Sequence, residues 1–443
     1  MDVVVHPSGP LRGTLTVPTD KAIGHRALLC AALASGPTDL APWPSAEDCQ
    51  RTRDVLQDLG VGVRLDASSV HVEGRGLEGL QPPSQDLACG ESGTTLRLAA
   101  GLLAGQPFRS RLTAGPSLSR RPMRRIIEPL RQMGAQIEGV AEGMEWFPPL
   151  TIQGRRPLRA IQYRLPVASA QVKSALLFGG LCADAPTTVV EPAPTRDHTE
   201  RMLRAFGVTV RQAGRAITIT PGRLRSPGTI RLPGDVSSAV FFLAAAACVP
   251  GSRLTVEGVG LNPTRTKVLD VLRRMGAKLD VHPSGDGVEP QGTVIVEASR
   301  LRGTAVAPDE VPALIDELPI LMVAATQASG TTRFSGIGEL RVKETDRIRS
   351  MAEGLTRLGA RVTMPAPDTV EITGGRLRGS LIQSAGDHRT AMSLAVAGLL
   401  AEGATTLQGA ECVAKSFPEF FDRLQGLAGS STVKIVDKPP GVC

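Results

Sequence analysis

Six Ala/Leu-rich segments recur along the chain, and that recurrence constrains the fold more than any single motif. They are KAIGHRALLCAALASG from Lys21, SGTTLRLAAGLLAGQ from Ser92, SAQVKSALLFGGLCA from Ser169, GDVSSAVFFLAAAACVPG from Gly234, IDELPILMVAATQASG from Ile315 and GDHRTAMSLAVAGLLAEG from Gly386. Each reads as a buried helix, with Gly at its end as the stop. Most run on into a short β-like stretch such as TTVVEP, SRLTVEG, TTRFSG or TTLQGA. Five then continue into a second, amphipathic helix with a matching turn: LQDLGVGV, LRQMGAQI, LRAFGVTV, LRRMGAKL and LTRLGARV. Gly60, Gly134, Gly207, Gly276 and Gly359 fit the left-handed position just past a helix end, and the residues after them begin a strand. The repeat is therefore strand, helix, strand, helix and hairpin, roughly 70 residues long and well beyond the short repeats of a solenoid.

Six such βαβαββ units imply an α/β (α+β) chain of two lobes with three units each. The closest pair, LTVPTDK from Leu15 and IRLPGDV from Ile230, sets a strand, a Pro and a capping Asp before an Ala-rich helix. Those two points mark where the chain would cross between lobes. One lobe is then expected over 18–232 and the other over 1–17 plus 233–428. Residues 429–443 carry no repeat signal and read as a loose C-terminal tail.

A net charge of +7 favours anionic partners. One Tyr, two Trp and ten Phe leave few rings on which bases could stack, and the cations are scattered singly, which argues against nucleic acid. The seven cysteines are odd in number and several stand among Ala and Leu, as buried reduced thiols do. No CxxC or HxxxH pair offers metal-ligand spacing. The start MDVVVHPSG lacks an export signal and no apolar run is long enough to span a bilayer, so a cytoplasmic protein without a membrane partner is expected. Gly74, Gly76 and Gly79 have dinucleotide-fingerprint spacing, but Pro82 and Pro83 follow where a helix should begin, so a hairpin turn is expected there.

The charged stretch RVKETDRIRSM reads as a helix opening at Lys343, Glu344, Asp346 and Arg347 and running to Leu358. Taken alone it is an ordinary solvated helix face, with Lys343 and Arg347 four apart. Charged or polar side chains recur at the heads of the buried helices, however: Lys21 and Arg26, Arg97, Ser169 with Gln171, Asp316, and Asp387 with Arg389. Arg121, Arg196 and Lys415 stand in the connecting loops. Helix N-termini already favour anions, and an added Lys or Arg makes a phosphate or carboxylate site.

The segments DKAIGHRALL, GESGTTLR, RRPM, SAQVK, RDHTE, NPTRT, VKETDR, DHRTAM and AKSFPEFF stand in one order along the chain as far as about Leu427. On them the chain resembles the 5-enolpyruvylshikimate-3-phosphate (EPSP) synthase family, the 3-phosphoshikimate 1-carboxyvinyltransferases. The resemblance implies a two-lobed enolpyruvyl transferase fold that closes on its substrates. It implies transfer of the enolpyruvyl group of phosphoenolpyruvate to the 5-hydroxyl of shikimate 3-phosphate, by a monomer needing no metal or organic cofactor. Shikimate 3-phosphate would be held by Lys21, Arg26, Ser169, the Ala170 backbone, Gln171, Arg196, Asp316 and Lys343. Phosphoenolpyruvate would be held by Lys21, Gly93, Arg121, Gln171, Arg347, Arg389 and Lys415. Asp316 would be the base, Glu344 the acid at carbon, and Lys21 an aid to phosphate departure.

Two departures from the family pattern bear on acceptor affinity: Ala22 stands where a Ser or Thr is usual, and Glu91 where many members have Asn. The rival readings are enolpyruvyl transfer to UDP-N-acetylglucosamine and a non-catalytic anion-binding relative. The first normally carries a Cys-containing loop where this chain has AGPSLSRRPM; the second is opposed by both carboxylates. Glyphosate, the family's inhibitor, occupies the phosphoenolpyruvate pocket. RDHTE, SAQVK and NPTR match the tolerant class while TDKA from Thr19 does not, so partial tolerance is expected.

Overall fold

The structure is a computed structural model describing residues 1–285 and 287–436. The chain divides into two compact units. The N-terminal unit comprises Thr19–Pro233 with residues 287–289; the C-terminal unit comprises Met1–Pro18, Gly234–Gly285 and residues 290–436. Each has its own hydrophobic core.

The N-terminal unit contains α1 (Lys21–Leu33), α2 (Glu47–Asp58), α3 (Gly93–Ala104), α4 (Arg124–Gln132), α5 (Ala170–Gly180) and α6 (His198–Ala205). The C-terminal unit contains α7 (Val236–Cys248), α8 (Lys267–Arg274), α9 (Val311–Leu314), α10 (Leu318–Thr326), α11 (Arg347–Arg357), α12 (His388–Leu399) and α13 (Phe420–Ala428). The six Ala/Leu-rich segments are α1, α3, α5, α7, α10 and α12, and nearly every residue in them is buried. In the C-terminal unit α7, α10 and α12 pack on one another; in the N-terminal unit α3 packs on both α1 and α5. Small residues allow the close approach: a Cβ on Gly101 of α3 would lie 2.1 Å from the Ala175 carbonyl oxygen of α5.

Short polar side chains start these helices by accepting the first free N–H groups. Asp20 accepts from Ala22 and Ile23, Asp235 from Ser237, and Asp387 from Arg389 and Thr390. Ser92 and Ser169 do the same for α3 and α5. The turn glycines behave as their positions require, with φ of +83° at Gly60, +99° at Gly134, +83° at Gly207, +97° at Gly276 and +86° at Gly359.

Six sheets repeat one order: a parallel outer strand, the strand that follows the buried helix, then two antiparallel strands. In the sheet around Thr187–Val190, for example, Gln162–Arg164 pairs parallel on one side and the hairpin Val210–Ala213/Ala216–Ile219 antiparallel on the other. The sixth sheet is completed by the two ends of the chain. Thr405–Gln408 pairs with Asp2–Val5, which in turn pairs with Val433–Val436. The tail expected to be loose therefore supplies a strand as far as Val436, because Asp2–Val5 has an edge whose N–H and C=O groups need partners. Residues 437–443 lie outside the described residues. This sixth repeat also has its second helix, α13, ending at Gly429 with φ +101°.

Two further expectations are corrected. The helix expected from Lys343 begins at Arg347: Asp346 is extended and its carboxylate accepts from the Arg349 N–H, so Lys343 and Glu344 precede the helix. Lys343 and Arg347 thus share no helical face. Gly74 belongs to the strand Ser69–Arg75, and Gly76 and Gly79 bracket a turn leaving it, but this is not a hairpin, because the next strand, Leu87–Ala88, pairs with Arg109–Thr113 instead. The six described cysteines are free thiols; Cys443 lies outside the described residues.

Candidate active site

The polar groups at the helix heads form a cluster in each unit. In the N-terminal unit, Lys21 is the first residue of α1, and its Nζ lies 2.8 Å from Oδ2 of Asp48 on α2. Asp48 is tied onward, its backbone carbonyl accepting from the Thr95 hydroxyl of α3 at 3.3 Å. Beneath them His25 Nδ1 meets Thr52 Oγ1 at 2.6 Å, Thr52 meets Thr95 at 2.7 Å, and Thr95 Oγ1 lies 2.7 Å from Ser92 Oγ. Burial drives the His25 pKa down to about 3, against the opposing pull of Asp48, so the imidazole is neutral.

The head of α3 gathers the next set. Arg97 Nη1 donates to Gln171 Oε1 at 2.8 Å, and the Gln171 amide donates to Thr94 Oγ1 at 2.9 Å. A Cβ on Gly93 would lie 2.6 Å from Arg97 Nη1 and 3.6 Å from Arg121 Nη1. Gly93 is therefore the floor on which two guanidinium groups converge beside Gln171.

Ser169 and Ala170 open α5, and Arg26 is held against that helix. Its Nε donates to Thr199 Oγ1 at 2.7 Å, Nη1 to the Ala22 carbonyl at 2.7 Å and Nη2 to Ser174 Oγ at 3.0 Å. Burial lowers the Arg26 pKa to about 10, with Glu200 opposing and nearby Arg196 pushing the same way. Three of its five N–H groups are used, leaving two. Ala22 offers a methyl where a hydroxyl was expected, its N–H and C=O both engaged. Glu91 points away from this group, toward the backbone of Ser117 and Leu118.

In the C-terminal unit the centre is Arg347, at the head of α11 and buried. Its Nε donates to Asp387 Oδ2 at 2.8 Å and its Nη2 to Glu344 Oε2 at 2.6 Å, while Nη1 reaches Asp316 Oδ1 at 3.4 Å. Burial alone would lower its pKa, but Asp387, Glu344 and Asp316 outweigh burial and hold it above the ordinary range. Arg389 donates to the Asp316 carbonyl at 2.9 Å and lies 3.9 Å from Glu317. Asp316 stands in the turn between α9 and α10 rather than on a helix. The Lys343 pKa is lowered by burial, with Asp316 opposing. Lys415 ends the 3-10 segment Ala410–Lys415, which packs on α12. A carboxylate pair on one guanidinium, beside cations with donors to spare, can move protons next to an anion.

Three participants had escaped the sequence reading: Asp48, Asp387 as a partner of Arg347, and Glu317, which accepts from Ser237. Asp48 stands 27 residues from Lys21, and its only local signal was an acid in the first turn of a helix. SAQVK and RDHTE are joined by a buried ion pair, Lys173 to Glu200 at 2.6 Å, with Glu191 at 3.2 Å. NPTRT is joined to the head of α7 through Arg265, 3.0 Å from Asp235.

Comparison with known proteins agrees in sequence and in fold. The family described as EPSP synthase (3-phosphoshikimate 1-carboxyvinyltransferase) matches residues 5–424. The chain is 48% identical over 421 residues to a 3-phosphoshikimate 1-carboxyvinyltransferase of Bacillus cereus, covering 94% of this chain and 97% of that one. It is 46% identical over 419 residues to the protein of that name from Bacillus thuringiensis, with the same coverage. Among solved structures it is similar to an EPSP synthase of Acinetobacter baumannii, with TM-score 0.88 and 42% identity, covering 98% of this chain and 100% of the other.

Proposed function

The chain belongs to the EPSP synthase family, and from that premise we infer that it transfers the enolpyruvyl group of phosphoenolpyruvate to the 5-hydroxyl of shikimate 3-phosphate, releasing inorganic phosphate. The observation that carries this reading is the family match over residues 5–424. In its support, each cluster contains side chains of the types the reaction needs.

The transfer is an addition followed by an elimination, redox-neutral throughout. In this reading Asp316 takes the proton of the 5-hydroxyl as its oxygen attacks C2 of phosphoenolpyruvate, and Glu344 delivers a proton to the methylene carbon. In the reverse movement, the tetrahedral intermediate returns a proton from the new methyl group to the Glu344 carboxylate as its C–O bond to phosphate breaks, and the departing phosphate takes the proton held by Asp316, with Lys21 supporting the departing charge. Arg121, Gln171, Arg347, Arg389, Lys415 and the Gly93 backbone hold phosphoenolpyruvate. Arg26, Ser169, Ala170, Gln171, Arg196 and Lys343 hold shikimate 3-phosphate, with Lys21 touching both. Arg suits this work because its planar fork grips carboxylate and phosphate at two points. What supports the acid–base assignment is position: Asp316 and Glu344 share one guanidinium, so the two carboxyl groups are held side by side at fixed places. The partners in this reading are these two small molecules, acting on a cytoplasmic monomer; among the described residues no helix is long and apolar enough to cross a membrane.

Phosphate release with phosphoenolpyruvate and either shikimate 3-phosphate or UDP-N-acetylglucosamine tests the reading. Release is expected with the first acceptor and not the second. The opposite preference overturns the acceptor, and release with neither points to a binding protein.

A further inference from the structure

We propose that Glu91 is a positioning residue for phosphoenolpyruvate, acting through the turn that carries Arg121. The inference rests on the reading above, in which Arg121 grips that substrate. Strand Arg109–Thr113 ends beside Cys89–Glu91, and two backbone bonds stitch the segments together: Cys89 N–H to the Thr113 carbonyl at 3.0 Å and Gly115 N–H to the Gly90 carbonyl at 2.7 Å. The chain then winds through the 3-10 turn Leu118–Arg120 to Arg121. The first N–H groups of such a turn have no partner within it. Glu91 supplies both: Oε1 accepts from Ser117 N–H at 3.1 Å and Oε2 from Leu118 N–H at 2.8 Å. The Arg121 N–H closes on the Leu118 carbonyl at 3.0 Å, so where Leu118 is fixed, Arg121 follows.

Two details indicate that the carboxylate is built into this turn rather than resting against it. A Cβ on Gly115 would lie 2.5 Å from Glu91 Oε1, so the glycine is the clearance the side chain needs. The Leu118 side chain is fully buried, with Cδ1 3.4 Å from the Cβ position of Gly93, so the turn that Glu91 holds is in contact with the floor beneath Arg97 and Arg121. A negative charge beside a site for an anion repels that anion, so any benefit of Glu91 to binding comes through geometry. Asn, one methylene shorter and with a single acceptor oxygen, could take only one of the two N–H groups.

Steady-state kinetics on Glu91→Ala, Glu91→Gln, Glu91→Asp, Arg121→Ala and the double variant Glu91→Ala/Arg121→Ala test this. Glu91→Ala is expected to raise KM for phosphoenolpyruvate about tenfold, leaving KM for shikimate 3-phosphate within about twofold and kcat within about threefold. Glu91→Gln, which keeps the length and one acceptor, should recover much of the loss; Glu91→Asp, too short to reach, should not, and either remains readable if the alanine variant folds poorly. In the Arg121→Ala background, removing Glu91 should change KM for phosphoenolpyruvate by less than about twofold. Effects that multiply in the double variant, or KM values for both substrates rising together, overturn the proposal. An Arg121→Ala variant with unchanged KM for phosphoenolpyruvate removes the role of Arg121 itself, and the proposal with it.

Discussion

The two clusters hold their cations by different chemistry. In the N-terminal unit Arg26 donates to two hydroxyls and a backbone carbonyl and Arg97 to an amide oxygen, while Lys21 lies 2.8 Å from the Asp48 carboxylate. In the C-terminal unit Arg347 alone carries three carboxylates, and Arg389 leans on Asp316 and Glu317. A guanidinium tied to neutral groups keeps its net charge for an incoming anion. One wrapped in carboxylates has that charge largely neutralised, and what it offers instead is a fixed position for acids. In the proposed reading both clusters grip anions and the C-terminal one adds the carboxylates that move protons, so damage to each should look different.

The largest expected effect is on chemistry in the C-terminal cluster. Asp316→Asn keeps the shape, an oxygen facing Arg347, and the backbone carbonyl to which Arg389 donates, but it cannot take a proton. kcat should fall by about 10²- to 10⁴-fold, with both substrates still binding by titration. A loss below about tenfold would place the base elsewhere and blur the division between clusters.

Stability should separate the clusters next. Arg347→Ala strands the buried carboxylate of Asp387 together with Glu344 and Asp316, and breaking a buried pair from one side typically costs about 3–5 kcal/mol. Arg97→Ala removes the bond to the Gln171 amide oxygen from a partly exposed side chain, for which about 0.5–3 kcal/mol is typical. Denaturant unfolding of both variants measures the difference. Equal losses would mean that the carboxylate wrapping of Arg347 does not distinguish it energetically.

Acid should find the N-terminal cluster through His25. Its pKa is lowered from the ordinary 6.5 to about 3, chiefly by burial. Above pH 6.5 the folded and unfolded chains both carry a neutral ring and His25 adds no pH dependence. Between 6.5 and about 3 the unfolded chain binds a proton that the folded one refuses, so stability drops as pH falls, by about 1.4 kcal/mol per pH unit once well below 6.5. His25→Gln should remove that slope. Parallel curves of unfolding free energy against pH for the two proteins would rule His25 out as the source.

What the sequence made legible was local. Buried helices, Asp20 and Asp235 as caps and glycines with positive φ each write their signal within a few residues, the helices six times over and the glycines five. What it hid is decided by partners far along the chain. Lys21 and Asp48 have no spacing that announces a pair, and the 433–436 strand acquires its role only because Asp2–Val5 lies beside it. Lys343 looked helical because charges four apart suit a helix, yet Asp346 caps the helix three residues later. Lys173 sits inside a recognition segment, but its ammonium is buried in an ion pair with Glu200, so that lysine belongs to the support of the site. In the N-terminal cluster Lys21, Arg26, Arg97, Arg121, Ser169, Gln171 and Arg196 stood out by their place at helix heads and in loops, whereas Gly93 and Ala170 were named from resemblance alone, since neither carries a polar side chain to mark a site.

The smallest expected effect lies at Gly93, where the N-terminal cluster is most crowded. Its Cβ position is 2.6 Å from Arg97 Nη1 and 3.4 Å from Leu118 Cδ1. The nearer atom ends a flexible side chain, so in Gly93→Ala the guanidinium yields rather than the backbone, drawing away from Gln171. Overpacking commonly costs about 1–3 kcal/mol, and a mobile neighbour puts this case at the low end. KM for phosphoenolpyruvate should rise about threefold, with shikimate 3-phosphate unaffected. Glyphosate, bulkier than phosphoenolpyruvate beside this loop, should lose more, about tenfold in its inhibition constant. Inhibition curves for the native and variant proteins, each at phosphoenolpyruvate equal to its own KM, read both effects. Strong competitive inhibition of the native protein would defeat its expected partial tolerance. A variant curve shifted no further than KM would show that the space over Gly93 does not distinguish the inhibitor from the substrate, leaving Arg121 and Gln171 to do so.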